Sequence, residues 1–325
     1  MKILILGGTG FLSKETARSF VRAGHDVTCT ARGITGPPLE DVEFIPWDRD
    51  DAPPFELLEI SPDVVLDIST NPGWVTDSLA LFPDAHWIYI SSISVYPAMT
   101  EPGSSPENTP LSEPILEGGI ESYGGMKVAC ENLVKQRAGE HFIIRPGLIV
   151  GPGDPTGRFA YWPTRLSEAA ADGLPYIAPG VPDDRVQWID VRDLADWIIL
   201  LAESKETGVC EAIGEAISRE EFLAEISSTL DGEPVPAWVD AEDLQSENVN
   251  FWTGERAIPM WLPVPELREM MNRDARPALE LGLKTRPLAQ TARDTLSWHQ
   301  EEGEPNGLSR QDELAVLRNL GHIQN

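Results

Sequence analysis

Apolar residues along the first half of the chain fall into short continuous runs separated by stretches with helical spacing. Ile3–Leu6 is a continuous apolar run, which is typical of a strand buried on both faces. From 11 to 23 the apolar residues recur at helical spacing, and Gly24 stands where that helix would end. Further apolar runs predict strands at 26–30, 42–48 and 64–69. Strands that alternate with helices indicate a parallel sheet with helices on both faces.

Beyond residue 150 the pattern leaves this sheet and later returns to it. A strand at Val186–Ile189, a helix at Arg192–Ala202 and a strand at Gly208–Ile213 form the predicted return. We therefore predict an α/β fold, a Rossmann-type doubly wound parallel sheet with a smaller, discontinuous C-terminal substrate lobe. The dinucleotide-binding domain would comprise 1–150 plus 184–216, and the substrate lobe 151–183 plus 217–325.

A glycine-rich turn joins the first predicted strand to the first helix. Gly7 and Gly10 allow the backbone to turn tightly and to approach a pyrophosphate, which would lie at the positive end of the helix. Ser13 stands where a third glycine is usual, and serine is small enough for the helix to pack closely on the strand. The turn predicts a dinucleotide site. The alternative is a glycine turn without a ligand.

The end of the second predicted strand bears on which dinucleotide binds. It lacks the acidic residue that usually binds the ribose hydroxyls of NAD, whereas Arg32 can accommodate the phosphate of NADP. The sequence thus favours NADP over NAD, the alternative being that Arg32 stacks on adenine or faces solvent. Asp48, at the end of the third predicted strand, is expected to meet the adenine.

Tyr123 and Lys127 are four residues apart, so on a helix they share one face. A cation beside a phenol favours the phenolate, which makes the tyrosine useful in acid-base chemistry. Tyr and Lys residues with this spacing are common on protein surfaces. The pair indicates a catalytic site here only because the chain also has a predicted dinucleotide-binding turn. Gly124 and Gly125 lie within the same predicted helix, where each costs about 0.8–1.0 kcal/mol relative to alanine. We therefore expect them to serve another purpose, such as room for the cofactor.

Five motifs follow one another in the chain: Gly7–Ser13, Ser91–Tyr96, Tyr123–Lys127, Arg145–Pro152 and Gln187–Ala195. In this order they resemble an extended, or atypical extended, short-chain dehydrogenase/reductase of the NAD-dependent epimerase/dehydratase family. The resemblance spans nearly the whole chain. It implies hydride transfer to or from a nicotinamide cofactor.

The resemblance also implies a role for each of three side chains. Tyr123 would give or take the proton at the reacting oxygen, and Lys127 would bind the nicotinamide ribose and lower the pKa of the tyrosine. Ser92 would hold the substrate oxygen, where a hydroxyl stabilises the negative charge that forms when a carbonyl is reduced. The residues expected to bind the cofactor are Gly7, Thr9, Gly10, Phe11, Leu12, Arg32, Asp48, Ile68, Ser69, Tyr123, Lys127 and Pro146.

Departures from the family pattern narrow the expected reaction. Sugar-nucleotide dehydratases carry a Thr-Asp-Glu-like triplet where this chain has Ser92–Ser94, so a dehydratase is not expected. Leu148 stands where nucleotide-sugar epimerases have a substrate-binding asparagine, which disfavours a nucleotide sugar. Loops at 97–122 and 151–157 are expected to border the active site. The candidate substrate residues are Ser94, Asp154, Arg158 and Trp162, and ordinary loop surface is the alternative for the last three.

Composition excludes several other classes of function. The chain has 325 residues, of which 41% are hydrophobic, enough for a substantial core. Its 53 acidic and 25 basic residues give a net charge of −28, which disfavours nucleic acid and anionic membranes as partners. The three cysteines indicate no disulfide framework, and the five histidines show no metal-ligand spacing, so we expect no metal. Apolar runs are too short to cross a membrane, and we expect a cytoplasmic protein.

These features predict an enzyme, an NAD(P)-dependent oxidoreductase that acts at a secondary alcohol or ketone of a small polar or sugar-like substrate. One alternative is a sugar or nucleotide-sugar epimerase that acts through transient oxidation. Another is a non-catalytic module that binds a cofactor or RNA, which the presence of Ser92, Tyr123 and Lys127 together disfavours. The resemblance implies a homodimer as the assembly.

Overall fold

A parallel sheet of seven strands lies at the centre of this computed structural model, which describes residues 1–136, 139–303 and 306–324. The strands are β1 (Lys2–Leu6), β2 (Asp26–Ala31), β3 (Glu43–Pro46), β4 (Val64–Asp67), β5 (His86–Ile90), β6 (His141–Pro146), β7 (Ile149–Val150), β8 (Tyr176–Pro179), β9 (Arg185–Val186), β10 (Ile189–Asp190), β11 (Gly208–Ala212), β12 (Ile217–Ser218), β13 (Pro236–Val239), β14 (Asn250–Phe251) and β15 (Ala257–Ile258). The central sheet has the order β11-β6-β5-β4-β1-β2-β3. This order reverses between β1 and β4, so the predicted doubly wound Rossmann-type fold is confirmed.

Helices cover both faces of the central sheet. The helices of the described residues, which include those of the second core, are α1 (Phe11–Arg22), α2 (Phe55–Leu58), α3 (Pro72–Leu81), α4 (Tyr123–Gln136), α5 (Tyr161–Asp172), α6 (Val191–Ser204), α7 (Arg219–Ser227), α8 (Ala241–Ser246), α9 (Arg276–Glu280), α10 (Leu288–Glu302) and α11 (Arg310–Asn319). Helix α1 packs against α6, and α3 packs against α4. Ile3 and Ile5 of β1 join the cluster that contains residues of α1 and α6, whereas Leu4 and Leu6 join a different cluster. Alternate residues of a strand point to opposite faces, so the apolar run of β1 fills two cores.

A second apolar core is formed by residues that follow β6 in the chain and lie outside the central sheet. It brings together buried residues of α5, α7, β8, β13 and α11, among them Trp162 and Phe222, and it also contains Trp261 from the segment after β15. Helix α11 is fastened to this core by the fully buried Glu313, which accepts hydrogen bonds from Ile177 N (2.9 Å) and Arg165 Nη1 (2.9 Å). The boundaries given above for the two lobes stay a prediction, and their ranges include residues 137, 138, 304, 305 and 325, which lie outside the described residues.

The strand predicted at Val186–Ile189 is wrong in its detail. Two short strands, β9 and β10, occupy this stretch and pair with β12 and β7, outside the central sheet. The buried Gln187 separates them, because its Nε2 donates to the carbonyl oxygens of Gly214 (2.8 Å) and Arg273 (3.0 Å). A side chain that binds two distant backbone segments directs the local chain path more strongly than the apolar pattern does.

Candidate active site

The glycine turn after β1 has the geometry that close approach of a ligand requires. Gly7 has φ +115°, and a Cβ on Gly8 would lie 2.4 Å from Cys29 Cβ, so glycine is needed at both positions. Ser13, at the position of the usual third glycine, closes the turn. Its Oγ donates to the carbonyl oxygen of Gly7 and accepts from Gly10 N at 3.2 Å. The serine therefore strengthens the turn and leaves the start of α1 directed at the space beside it.

A cavity of about 230 Å³ opens at this turn. Predicted cofactor residues line it, together with others from the ends of β2, β3 and β4: Gly7, Thr9, Gly10, Arg32, Trp47, Arg49, Ser69 and Trp74. Two buried polar atoms of lining residues, Thr30 Oγ1 and Arg49 Nε, have no hydrogen-bond partner among the described residues. An α-helix N-terminus with unpaired polar groups nearby suits a phosphate-bearing ligand. The residues present therefore fit a dinucleotide.

Three predicted cofactor residues lie next to this cavity rather than in its lining. Ile68 lies below the turn, where a Cβ on Gly7 would be 3.3 Å from its side chain. Leu12 is buried in the core. Phe11 reaches the 151–157 loop, where a Cβ on Gly153 would be 3.6 Å from its ring. Phe11 thus joins the glycine turn to the loop that was expected to border the substrate.

Arg49 is the main feature that sequence reasoning missed. Its guanidinium forms a two-pronged ion pair with the fully buried Asp67, with Nη1–Oδ1 at 3.0 Å and Nη2–Oδ2 at 2.8 Å. It also donates to the carbonyl oxygen of Trp74 at 2.6 Å and lies 5.9 Å from the ring centroid of Trp47. Two features of the sequence could have indicated this pair. Arg49 is a single cation among aspartates, and Asp67 is a charged residue at the end of an otherwise apolar strand.

Asp48 does not line the cavity, which corrects the expectation that it meets the adenine. Its Oδ1 accepts a hydrogen bond from Asp50 N at 3.2 Å, so the carboxylate closes a turn after β3. The neighbours Trp47 and Arg49 face the cavity instead. The predicted strand ran to residue 48, whereas β3 ends at Pro46. Side chains of consecutive residues in an extended segment point to opposite sides, so Asp48 points away when Trp47 and Arg49 face the cavity.

Lys127 is buried beneath the end of the sheet. Its Nζ donates to three carbonyl oxygens, of Ile68 (3.0 Å), Ser69 (3.1 Å) and Ile90 (2.7 Å). Burial lowers the pKa of this lysine to about 8, while the nearby acids Asp67 and Glu131 act in the opposite direction. The ammonium thus joins the ends of β4 and β5, and it lies directly behind Ser69 of the dinucleotide cavity.

Tyr123 begins helix α4 and is half-buried. The Lys127 ammonium lies 5.9 Å from the centroid of its ring. Burial raises the pKa of Tyr123, and a hydrogen bond with Ser92 lowers it. The lowering by Lys127 that the resemblance implies stays a prediction, and the Nζ of this lysine binds three backbone carbonyl oxygens. Ser92 is the group that favours the phenolate.

Ser92 stands at the start of a 3₁₀ turn, Ile93–Val95, directly after β5. Its Oγ accepts from Ser94 N at 3.1 Å and lies 3.1 Å from Ser94 Oγ, to which it donates. The preceding residue, Ser91, is buried and donates to Glu131 Oε1 at 2.7 Å. Of the two adjacent serines, Ser92 is therefore the one that faces Tyr123.

The two glycines of α4 make room for protein backbone. A Cβ on Gly124 would lie 2.1 Å from the carbonyl oxygen of Ser94, and a Cβ on Gly125 would lie 2.8 Å from that of Glu113. Gly125 O also accepts a hydrogen bond from Ile115 N at 3.0 Å. The expectation that they leave space for the cofactor is thus corrected, because the backbone of the turn after Ser92 and the backbone of the 97–122 loop occupy that space.

The remaining predicted site residues lie in different surroundings. Pro146, predicted to bind the cofactor, is buried at the end of β6, and Ser94, predicted to bind the substrate, is exposed beside Ser92. Asp154 is buried, its carboxylate bound to Thr156 N (2.8 Å) and Thr156 Oγ1 (2.9 Å), and burial raises its pKa. Arg158 lies 5.0 Å from the ring centroid of Trp252.

Trp162 was expected in a loop as a substrate contact, and this expectation is wrong. It lies in α5, its side chain is fully buried, and its Nε1 donates to the carbonyl oxygen of Pro259 at 3.2 Å. Its ring meets Tyr161 and Phe222 edge to face in the second core. The aromatic residue fills that core because helix α5 begins earlier than the Pro- and Gly-rich sequence suggested.

A second cavity, of about 550 Å³, lies in the C-terminal part of the fold. Three arginines line it, Arg185, Arg219 and Arg268, together with two carboxylates, Asp184 and Asp240. Arg219 is 2% exposed, and its Nε and Nη1 have no hydrogen-bond partner among the described residues. Burial lowers the pKa of Arg219 to about 10. A buried cation with unused donors is a feature that the sequence did not single out.

This cavity borders the segment that follows Ser92. Its lining residues Leu267 and Met270 pack against the apolar cluster that contains Ile93 and Val95. Glu266, which precedes the lining residue Leu267, is joined to the segment after Ser92 through the backbone, because Met99 N donates to its carbonyl oxygen at 2.7 Å. The arginine-lined cavity and the Ser92 turn are thus built on one packed unit.

Comparison with known proteins agrees with these features. Residues 75–214 match the model of the family described as "NAD dependent epimerase/dehydratase family". Over these residues the resemblance predicted from the five motifs is confirmed, and the match supports the prediction of an enzyme. No curated protein matches the chain.

Solved structures share the fold over nearly their whole length. One is a putative epimerase from Burkholderia cenocepacia J2315, with TM-score 0.66 and 20% identity, covering 91% of this chain and 97% of that one. UDP-glucuronic acid 4-epimerase from Bacillus cereus in complex with NAD has TM-score 0.62 and 17% identity, and the match covers 94% of this chain and 100% of that one. UDP-glucose 4-epimerase from Thermus thermophilus in complex with NAD has TM-score 0.63 and 16% identity, and the match covers 93% of this chain and 100% of that one. At such identities the similarity establishes the fold.

Neither a metal cluster nor a membrane span is found in the described part of the chain. Among these residues, no group of three or more His, Cys, Asp or Glu side chains is arranged to hold a metal ion. Within the same part of the chain, no helix combines the length and the apolar character needed to cross a bilayer.

Proposed function

We propose that this chain, which resembles the NAD dependent epimerase/dehydratase family, transfers hydride between a nicotinamide cofactor and a secondary alcohol or ketone. The observation that carries the proposal is the position of Lys127. Its Nζ binds the carbonyl oxygen of Ser69, a residue that lines the dinucleotide cavity, and it lies 5.9 Å from the Tyr123 ring. These contacts support the assignment of the acid-base residues and the dinucleotide cavity to one site.

In the proposed reaction, Tyr123 exchanges a proton with the substrate oxygen at its phenol Oη. Before the proton moves, Ser92 donates its single hydroxyl hydrogen to the same substrate oxygen. When the proton has left Tyr123, the hydroxyl of Ser92 turns and donates to the phenolate instead. Lys127 fixes the strand ends on which Ser69 and Ser92 stand and keeps a positive charge beneath the phenol ring. The nicotinamide supplies or accepts the hydride when it is bound.

For the cofactor, we propose NADP in preference to NAD. Arg32 is exposed at the tip of β2 and lines the cavity, where its guanidinium can meet a 2′-phosphate. Arg49 adds a second positive group at the same cavity, although Asp67 already balances its charge. The neighbours from Bacillus cereus and Thermus thermophilus are complexes with NAD, so cofactor preference needs its own measurement.

For the substrate, we propose a small polar molecule that carries a phosphate or carboxylate. The support is the 550 Å³ cavity with its three arginines, in a protein whose net charge is −28. The buried Arg219 adds a positive charge to the wall of this cavity, and two of its N–H groups have no hydrogen-bond partner among the described residues. A sugar phosphate or a uronic acid would offer an anionic group to the arginines and a secondary alcohol to Tyr123.

An epimerase is the second candidate. The two neighbours named as epimerases act on UDP-sugars by their names, and the arginine-lined cavity suits a diphosphate as well as a simpler anion. An epimerase would use the same Ser92, Tyr123 and Lys127 to oxidise and then re-reduce one carbon. It differs from the first candidate in that the nicotinamide absorbance would return to its starting value.

The test is a panel of hydroxy and keto metabolites, with and without a phosphate or carboxylate, assayed with NAD, NADP and their reduced forms. A net change in nicotinamide absorbance supports the oxidoreductase, and a changed sugar without net absorbance change supports the epimerase. Tyr123→Phe serves as the inactive control for both. If the panel gives neither outcome while the dinucleotide binds, the chain acts as a cofactor-binding module and the proposal fails.

Two further parts of the proposal concern assembly and location. We propose a homodimer that forms through helices, as in the family that the chain resembles, and a cytoplasmic location. The three cysteines, Cys29, Cys130 and Cys210, are buried and unpaired, which suits a reducing compartment. Sedimentation of the purified protein would show a single species of twice the chain mass if the dimer forms.

A further inference from the structure

We infer that Tyr96 is a positioning residue, which sets Ser92 against Tyr123 through a buried chain of hydrogen bonds. The inference rests on the proposed roles of Ser92 and Tyr123. The members of the buried polar chain are Ser91, Glu131, Arg145, Tyr96, Glu211 and Arg273. Each of them is at most 3% exposed.

The first half of the buried polar chain joins the helix of Tyr123 to the strand end of Ser92. Glu131 lies on α4, one turn beyond Lys127, and its Oε1 accepts from Ser91 Oγ at 2.7 Å. The same carboxylate accepts from Arg145 on β6, at 2.8 Å from Nε and 2.6 Å from Nη2. Ser91 directly precedes Ser92, so one buried carboxylate holds the two catalytic segments together.

The second half runs from Arg145 to the C-terminal part of the fold, with Tyr96 in the middle. Arg145 Nη1 donates to Tyr96 Oη at 2.8 Å, and Tyr96 Oη donates to Glu211 Oε1 at 2.5 Å. Glu211 in turn accepts from Arg273 Nε at 2.6 Å. The ring of Tyr96 lies between the two guanidiniums, 5.3 Å from that of Arg145 and 4.3 Å from that of Arg273.

Each carboxylate of the buried polar chain is paired with one of its arginines. Glu131 pairs with Arg145, and Glu211 pairs with Arg273. The Tyr96 hydroxyl is a neutral link that satisfies a donor of one pair and an acceptor of the other. Loss of that hydroxyl would leave a buried guanidinium N–H and a buried carboxylate oxygen without this partner.

Tyr96 can act on Ser92 because both stand on the same short turn. Ser92 precedes the 3₁₀ turn Ile93–Val95 and Tyr96 follows it, with Tyr96 N donating to the carbonyl oxygen of Ile93 at 3.2 Å. The hydroxyl of Tyr96 thus fixes the far end of the turn whose near end carries Ser92. Movement at Tyr96 would change the hydrogen bond between Ser92 and the Tyr123 phenol.

The test compares Tyr96→Phe with Tyr176→Phe. Tyr176 is also a buried tyrosine, but it lies on β8 in the other core, outside the buried polar chain. The direct readout is the titration of the Tyr123 phenol, followed by NMR on protein with ¹³C-labelled tyrosine and assigned with Tyr123→Phe. Turnover and KM, with the substrate from the panel above, form the second readout, and dinucleotide affinity forms the third.

We expect Tyr96→Phe to raise the midpoint of the Tyr123 titration by about half a pKa unit or more, since Ser92 favours the phenolate less well. We also expect kcat to fall about tenfold or more, with dinucleotide affinity changed less than about twofold. Tyr176→Phe should leave all three readouts as in the parent protein. An unchanged Tyr123 titration in folded Tyr96→Phe overturns the inference, as does an equal shift in Tyr176→Phe.

Two provisions keep the outcome interpretable. If Tyr96→Phe does not fold, Arg273→Lys takes its place, because it keeps a positive charge beside Glu211 but loses the forked geometry. The same shift of the Tyr123 titration is then expected. The titration needs no substrate, so a shift in a protein that shows no turnover contradicts the proposed function and leaves the positioning role standing.

Discussion

The carbonyl oxygen of Ser94 lies 2.1 Å from the position that a Cβ atom on Gly124 would occupy. A side-chain carbon cannot come that close to a backbone oxygen, so the absence of a side chain at Gly124 is what lets α4 touch the turn after Ser92. This contact brings together the two hydroxyls of the proposed reaction, although they stand on segments that are distant in sequence.

Gly124→Ala should therefore damage both stability and turnover. Overpacking at a rigid contact typically costs about 1–3 kcal/mol, and displacement of the Ser92 turn should lower turnover more than about tenfold. Gly73→Ala is the matched control, because Gly73 lies in α3 and is exposed. We expect its free energy of unfolding to stay within about 1 kcal/mol of the parent. Urea unfolding and a turnover assay measure the two effects, and a folded Gly124→Ala protein with the parent's turnover would contradict the assigned contact.

Tyr123→Phe should separate catalysis from binding. Removal of a general acid-base group typically lowers turnover about 10²- to 10⁴-fold. Other residues line the dinucleotide cavity, so the affinity of the variant for the dinucleotide should change little. Turnover under saturating cofactor and a fluorescence titration with the reduced dinucleotide give the two numbers. Full turnover in the variant would show that the phenol takes no part in the proton transfer.

The parts of this protein that the sequence predicts well are those with local signals. The strand, glycine turn and helix at residues 3–23 lie next to one another in the chain, and periodicity with glycine spacing is enough to predict them. Tyr123 and Lys127 share a helix, so their proximity follows from a spacing of four. The order of motifs then predicts the doubly wound sheet.

The parts that it does not predict depend on pairs of distant residues. Arg49 and Asp67 are 18 positions apart, and Glu211 and Arg273 are 62 apart. No periodicity indicates such pairs, because each member reads as an ordinary polar residue until the partner is brought beside it. Trp162 was misplaced for a related reason, since a tryptophan close to prolines and glycines gives no sign of which core will bury it.

Arg32→Asp should weaken NADP binding much more than NAD binding. The arginine is exposed at the tip of β2, and the change replaces an attractive charge for a 2′-phosphate with a repulsive one. We expect NADP affinity to fall about tenfold or more and NAD affinity to change less than about threefold. Arg18→Asp, on the exposed side of α1, makes the same change in net charge away from the cavity and should affect neither. Equal affinities for the two cofactors in the parent protein would refute the preference for NADP.

Lys127→Met should reveal the titration of a buried ammonium. Burial lowers the pKa of Lys127 to about 8, below its value of about 10.4 in an unfolded chain. Below pH 8 both states hold the proton, and the folded protein bears the full cost of a buried charge. Between about pH 8 and 10.4 the unfolded chain binds the proton more tightly, so the free energy of unfolding rises with pH.

The methionine variant lacks this titration, although it also leaves the carbonyl oxygens of Ile68, Ser69 and Ile90 without their ammonium partner at every pH. The difference in unfolding free energy, parent minus variant, should therefore grow as pH is raised from 7 to 10, by about 3 kcal/mol at most. Urea unfolding at half-unit steps of pH measures it. A difference that stays constant across this range would mean that the three carbonyl oxygens keep the ammonium charged, and that Lys127 holds its positive charge beneath Tyr123 throughout the working range of the enzyme.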